Sequence, residues 1–146
     1  MLSFVHASGM VHGAVVPAHL LIQENDHGMR LIGYGCAGKK GQKLQASADE
    51  HESFYPKVKR SGASLTTQLD LIMSACCISA ILGGDPGGAS LPAAVPVPLA
   101  SIVRRVAQGD PTASPGKDAW RIREELGAIA NQVFGAPRFI PIEMPS

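Results

Sequence analysis

Up to residue 37 the apolar residues come in short runs, and the breaks between runs hold turn-forming residues. "LSFVHA" and "MVHGAVV" flank Ser8-Gly9, a two-residue hairpin signal, and "HLLIQE" and "MRLIGYG" flank "NDHG", whose residues tolerate positive φ. Pro17 falls between the two hairpins, where a strand end or edge accepts it. This pattern predicts a four-stranded antiparallel meander over residues 2–37.

Residues 38–63 lose the period and turn polar, with room for one short helix near Leu44 to Glu52 that Pro56 would end. From Ser64 the spacing becomes helical. Leu65, Leu69, Ile72, Met73, Cys76 and Ala80 form one stripe, and Leu71, Ile78 and Leu82 fill the opposite side. A helix that is apolar all round is buried all round. The helix over 64–82 is therefore expected at the centre of the domain or of a subunit interface, with Ser64 as its N-cap and Gly83-Gly84 at its end.

A proline-rich connection, 85–98, follows. Two further helices are expected: about 98–108, with Leu99, Ile102, Val103 and Val106 on one face, and 117–134, with Ile122, Leu126, Ile129 and Val133 in register. The tail 136–146 reads as extended. The expected fold is α+β, a single domain made of a sheet (2–37), a polar loop (38–63), a helical part (64–134) and the tail.

Composition sharpens one point. Charged residues make up only 17% of the 146-residue chain and aromatics 5%, against about 25% charged in an average domain. So few charges suggest surface covered by a partner, either another copy or another protein subunit. The net charge of +1 gives no general attraction to nucleic acid or membrane, although Lys39, Lys40, Lys43, Lys57, Lys59 and Arg60 crowd one stretch. The N-terminus lacks the n-region and h-region of a signal peptide, and the apolar run Leu71 to Leu82 is too short for a membrane span. Cys36, Cys76 and Cys77 are odd in number and two are adjacent, which fits a reducing compartment such as the cytoplasm better than a disulfide framework.

The most tempting chemistry is "GYGCAGKK", residues 33–40, which fits Gly-x-Gly-x-x-Gly and part of a phosphate-loop pattern. A phosphate loop must open a helix that docks on a sheet, because the helix N-terminus and its N–H groups hold the anion. Here Gly41 interrupts, Lys40 replaces the magnesium-binding hydroxyl, and "QKLQASADE" has no apolar face. The glycines are expected to thin a strand end. Lys39, Lys40 and Lys43 remain candidates for contact with an anion or with nucleic-acid phosphates, with Phe54 and Tyr55 near enough in sequence to stack on bases.

With a turn at Ser8-Gly9, His6 and His12 point to opposite faces, so no metal is expected. "HESFY" at 51–55 offers a histidine and glutamate but has Tyr55 where a zinc-protease pattern needs its second histidine. A cysteine nucleophile would be Cys36, beside lysines that lower its pKa, with His12 as a base. No cofactor is expected. Arg121–Glu125 is expected as a solvated i,i+4 pair, and Trp120 as a core or interface anchor.

The leading expectation is a non-catalytic structural or interaction subunit of a homo- or hetero-oligomeric assembly, with viral and other large particles as the analogy. Leu71, Ile78, Leu82, Phe139, Ile140 and Ile142 are its candidate contact residues. The alternatives are a small enzyme or ligand-binding domain near residues 33–43, and a nucleic-acid binder through 39–60.

Overall fold

The computed structural model describes residues 1–56, 63–109 and 118–141. Expectations for Lys57, Lys59, Arg60, the 110–117 loop and Ile142 fall outside the described residues. The fold is mixed α+β, with small antiparallel sheets of two strands each.

The N-terminal third keeps its antiparallel character but not the four-stranded meander. Leu2–Ala7 is a helix, α1, not a strand. Its alternating apolar residues do not line one sheet face: Phe4 is 77% exposed, while Leu2 packs against the core. Gly9, at φ +77°, leads the chain out of α1 instead of turning a hairpin. The strand that follows, β1 (Met10–Val11), pairs with the distant β4 (Gly38–Lys39), Val11 opposite Gly38.

The second expected hairpin is present. β2 (Leu20–Ile22) pairs with β3 (Met29–Leu31), Leu21 opposite Arg30. Its turn is built as the residues suggest: Asp26 Oδ1 accepts the Gly28 N–H at 2.7 Å, and His27 takes a left-handed φ of +54°. Pro17 opens a short 3-10 turn, Pro17–His19, that feeds β2.

Among its described residues the polar excursion holds one 3-10 segment, Asp49–Phe54, and its ends are tied to the body. Leu44 N–H donates to the Ala63 carbonyl at 2.8 Å, and Leu65 N–H to the Gln42 carbonyl at 2.7 Å. This pairing holds residues 63–65 extended and delays the central helix. α2 therefore spans Thr67–Ile81, and Thr66, not Ser64, caps it by accepting the Leu69 N–H on Oγ1 at 3.2 Å. Gly83, at φ +79°, ends it as expected.

α2 is the centre of the molecule, and its own chain covers its sides. Leu69, Ile72, Met73, Cys76 and Cys77 meet Val11, Val15, Val16, Phe54, Tyr55 and Leu65. Leu71 and Ala75 meet α3 (Val97–Ala107) through Ile102 and Val106, and α4 (Asp118–Phe134) through Ile122, Leu126 and Ile129. Ile78 and Leu82 pack on Leu91, Ala100 and Val103. The proline-rich 85–98 connection folds back on this chain. Ser79 Oγ donates to the Asp85 carbonyl at 2.7 Å, and Leu91 is buried. Among the described residues no helix is long and apolar enough to cross a membrane.

Candidate functional site

The chain from Val11 to Val16 passes through the interior, and every residue of it is buried. Buried irregular backbone must find partners for its N–H and C=O groups. Here side chains supply many of them. Asp70, fully buried on α2, accepts the N–H of His12 on Oδ2 and that of Gly13 on Oδ1, each at 2.8 Å. Tyr55 Oη donates to the Gly13 carbonyl at 3.0 Å and accepts the Ala48 N–H at 3.1 Å. His19 Nδ1–H donates to the Ala14 carbonyl at 2.7 Å, and Cys77 Sγ–H to the Val15 carbonyl at 3.4 Å.

His12 belongs to the same set. Its Nε2–H donates to the Ile32 carbonyl at 2.9 Å, and its Nδ1 accepts the Ala14 N–H at 3.3 Å. That pairing requires the neutral ring, and burial lowers its pKa in agreement. His6, on α1, donates from Nε2 to Asp70 Oδ2 at 2.9 Å. The His6 side chain and the His12 backbone thus converge on one carboxylate, although the expected hairpin set the two histidines on opposite faces.

This geometry works against the cysteine–histidine alternative. Both His12 nitrogens are engaged, so neither has a lone pair free to take a proton from a thiol. Cys36 is partly buried, and its thiol is pushed up by that burial and then by Asp49, the reverse of the lowering expected from its lysine neighbours. Lys39, Lys40 and Lys43 are exposed, with their charges in solvent. Cys76 and Cys77 are buried and pushed up to about 11 and about 12, chiefly by desolvation.

The 33–40 loop resolves in structural terms. Gly33 sits at φ +78°, Tyr34–Cys36 form one 3-10 turn, and the chain then enters β4, not a helix. A side chain on Gly33 would meet the His19 ring at 2.4 Å, and one on Gly38 would meet Leu65 Cδ1 at 2.7 Å. Three of the loop's amides are taken: Ala37 N–H by the Tyr34 carbonyl, Lys39 N–H by Gln42 Oε1 and Lys40 N–H by the Gly9 carbonyl. Phe54 and Tyr55, the proposed stacking platforms, are 8% and 7% exposed. Among the described residues no group of three or more histidine, cysteine or acidic side chains gathers to hold a metal.

The candidate contact residues divide. Leu71, Ile78 and Leu82 lie in the chain's own packing, where Leu71 and Ile78 also line an apolar pocket of about 60 Å³ between α2, α3 and α4. Phe139 and Ile140 are outside, 59% and 71% exposed, with Phe139 stacked on His27 at 4.5 Å. Trp120 is not a core anchor: it is 49% exposed and donates to Glu124 Oε1 at 2.8 Å, with Arg123 over its ring. Glu125 pairs with Arg105 of α3 at 2.6 Å, not with Arg121.

Asp70 was not singled out from the sequence, and Tyr55 and His6 drew attention there for other chemistry. Asp70 carried a signal, since one carboxylate in a helix that is apolar on every side has to be buried and partnered. No family model matches the chain, and no curated protein matches it.

Proposed function

We propose that the chain is a non-catalytic structural or interaction subunit of a homo- or hetero-oligomeric assembly. One observation carries this reading: the side chains with chemical potential hold backbone inside, while large apolar side chains face outward. His12, Tyr55 and Asp70 are engaged around residues 12–14. Outside stand Phe4, Leu21, Ile22, Met29, Trp120, Phe134, Phe139 and Ile140, each at least 45% exposed. Aromatic and aliphatic anchors of this kind are what protein interfaces bury.

The test is the mass of the purified protein by light scattering over a concentration series, together with chemical cross-linking in cells that make it. A fixed multiple of 15.3 kDa, or one discrete cross-linked species containing a second protein, supports the reading. A monomer at every concentration with no discrete cross-linked species removes it.

A further inference from the structure

We infer that the outer edge of β2 is a self-association surface, at which a second copy of this chain pairs antiparallel about Ile22. The inference rests on the subunit reading and names the partner and the contact.

The β2–β3 ribbon has an open edge along β2. Ile32 N–H donates to the His19 carbonyl at 2.9 Å and Gln23 N–H to the Gly28 carbonyl at 2.8 Å. Antiparallel bonding alternates, so Leu21 exchanges bonds with Arg30, whereas Leu20 and Ile22 turn their groups away from β3. The Leu20 N–H is met by the Pro17 carbonyl. The Ile22 N–H and C=O and the Leu20 C=O are left facing outward. On the other strand Leu31 is 8% exposed, turned into the body of the protein.

The chemistry of the open edge fits a second copy. β2 is Leu20-Leu21-Ile22, a short strand with no charge, proline or bulge along its edge to oppose pairing. Two-fold pairing about Ile22 exchanges N–H and C=O between the two Ile22 residues. It sets Leu21 opposite Gln23, with no like charges opposed. Directly opposed residues share a face. Ile22 lies opposite Met29 within each ribbon, so the dimer lines up Met29, Ile22, Ile22 and Met29 in one apolar row. These side chains are 54% and 51% exposed in the single chain. A two-stranded ribbon is marginal alone, and four strands with an apolar row are not. The pairing closes after two copies, as an isologous contact does.

The full chain is tested by sedimentation velocity as wild type, Ile22→Pro and Ile22→Lys. Proline deletes the outward N–H and leaves the bonds to β3, while lysine keeps the backbone and opposes like charges across the two-fold axis. The wild type is expected to dimerise, and each variant to weaken dimerisation about tenfold or more. Hydrogen exchange supplies a readout that needs no variant: the Ile22 amide is expected to gain protection as the wild-type concentration rises. A wild-type dimer that both variants leave intact, or in which the Ile22 amide stays unprotected, overturns the β2 edge and leaves the subunit reading standing. A wild type that stays monomeric also overturns the edge; the subunit reading then survives through cross-linking to a different protein.

Discussion

Asp70 accepts the backbone N–H of His12 at 2.8 Å across 58 residues of sequence, and both partners are fully buried. One carboxylate thereby fixes where the buried 11–16 segment crosses α2 and, through His6, where α1 docks. Asp70→Asn keeps the shape but turns one acceptor into a donor that faces a buried N–H or His6. The expected loss is about 2–4 kcal/mol of unfolding free energy, since a buried donor left without a partner costs the desolvation of that group. Urea denaturation checks it; a change within about 0.5 kcal/mol would show that this carboxylate does not hold the segment.

Tyr55 makes the matching contact on the carbonyl side of Gly13, and the same hydroxyl ties down Ala48. Tyr55→Phe removes one donor and one acceptor and leaves the packing. A loss of about 1–3 kcal/mol is expected, together with faster hydrogen exchange at the Ala48 amide. A variant as stable as the parent, with Ala48 still protected, contradicts the assignment.

The sequence announced those elements whose pattern depends on near neighbours. Helix α2 was legible because it is apolar on every side, and the β2–β3 hairpin because Asn25, Asp26 and Gly28 form its turn. α1 was misread because six residues, L-S-F-V-H-A, satisfy a strand pattern as well as a helical one. Its packing partners are distant, and His6 binds Asp70 64 positions away. The candidate site was obscured for the same reason. His12 and Cys36 attract attention as chemistry, but their roles depend on which distant groups enclose them. No local spacing records that Gly33 lies against His19 or that Lys40 reaches Gly9.

His12 gives the fold an acid-sensitive point. Burial lowers its pKa below the ordinary 6.5, so between the folded and unfolded values the unfolded chain binds more protons. Its contribution to stability is therefore complete above about pH 6.5 and is lost as the pH falls toward the depressed value. In an NMR titration the His12 ring is expected to stay neutral below the midpoint of an unfolded histidine. A midpoint at or above 6.5 would refute the burial argument.

The thiols are expected to be slow. Burial raises Cys36, and it pushes Cys76 and Cys77 up to about 11 and about 12, so little thiolate exists at neutral pH. With a thiol-specific disulfide reagent at pH 7.5, Cys36 should react more slowly than a free cysteine peptide. Cys76 and Cys77 should react at the rate of unfolding, and all three should become equivalent in denaturant. A burst at Cys36 faster than the peptide would restore it as a candidate nucleophile.

The glycine loop yields the sharpest contrast between neighbouring positions. If 33–40 cradled a phosphate, Gly33 and Gly35 would both be needed for close backbone approach to the ligand. The structure separates them. At Gly33 the left-handed φ of +78° and the His19 ring 2.4 Å from an added Cβ oppose any side chain, whereas at Gly35 nothing lies within 4 Å. Gly33→Ala is expected to cost about 2–4 kcal/mol, combining backbone strain with overpacking. Gly35→Ala should change stability by less than about 0.5 kcal/mol. Thermal unfolding of the two variants side by side measures the difference. Adding nucleoside triphosphate with magnesium should raise the melting temperature of neither the parent nor Gly35→Ala. A rise in the parent that Gly35→Ala abolishes would mean that the loop binds phosphate after all, with its amides released from Gly9 and Gln42 to do so.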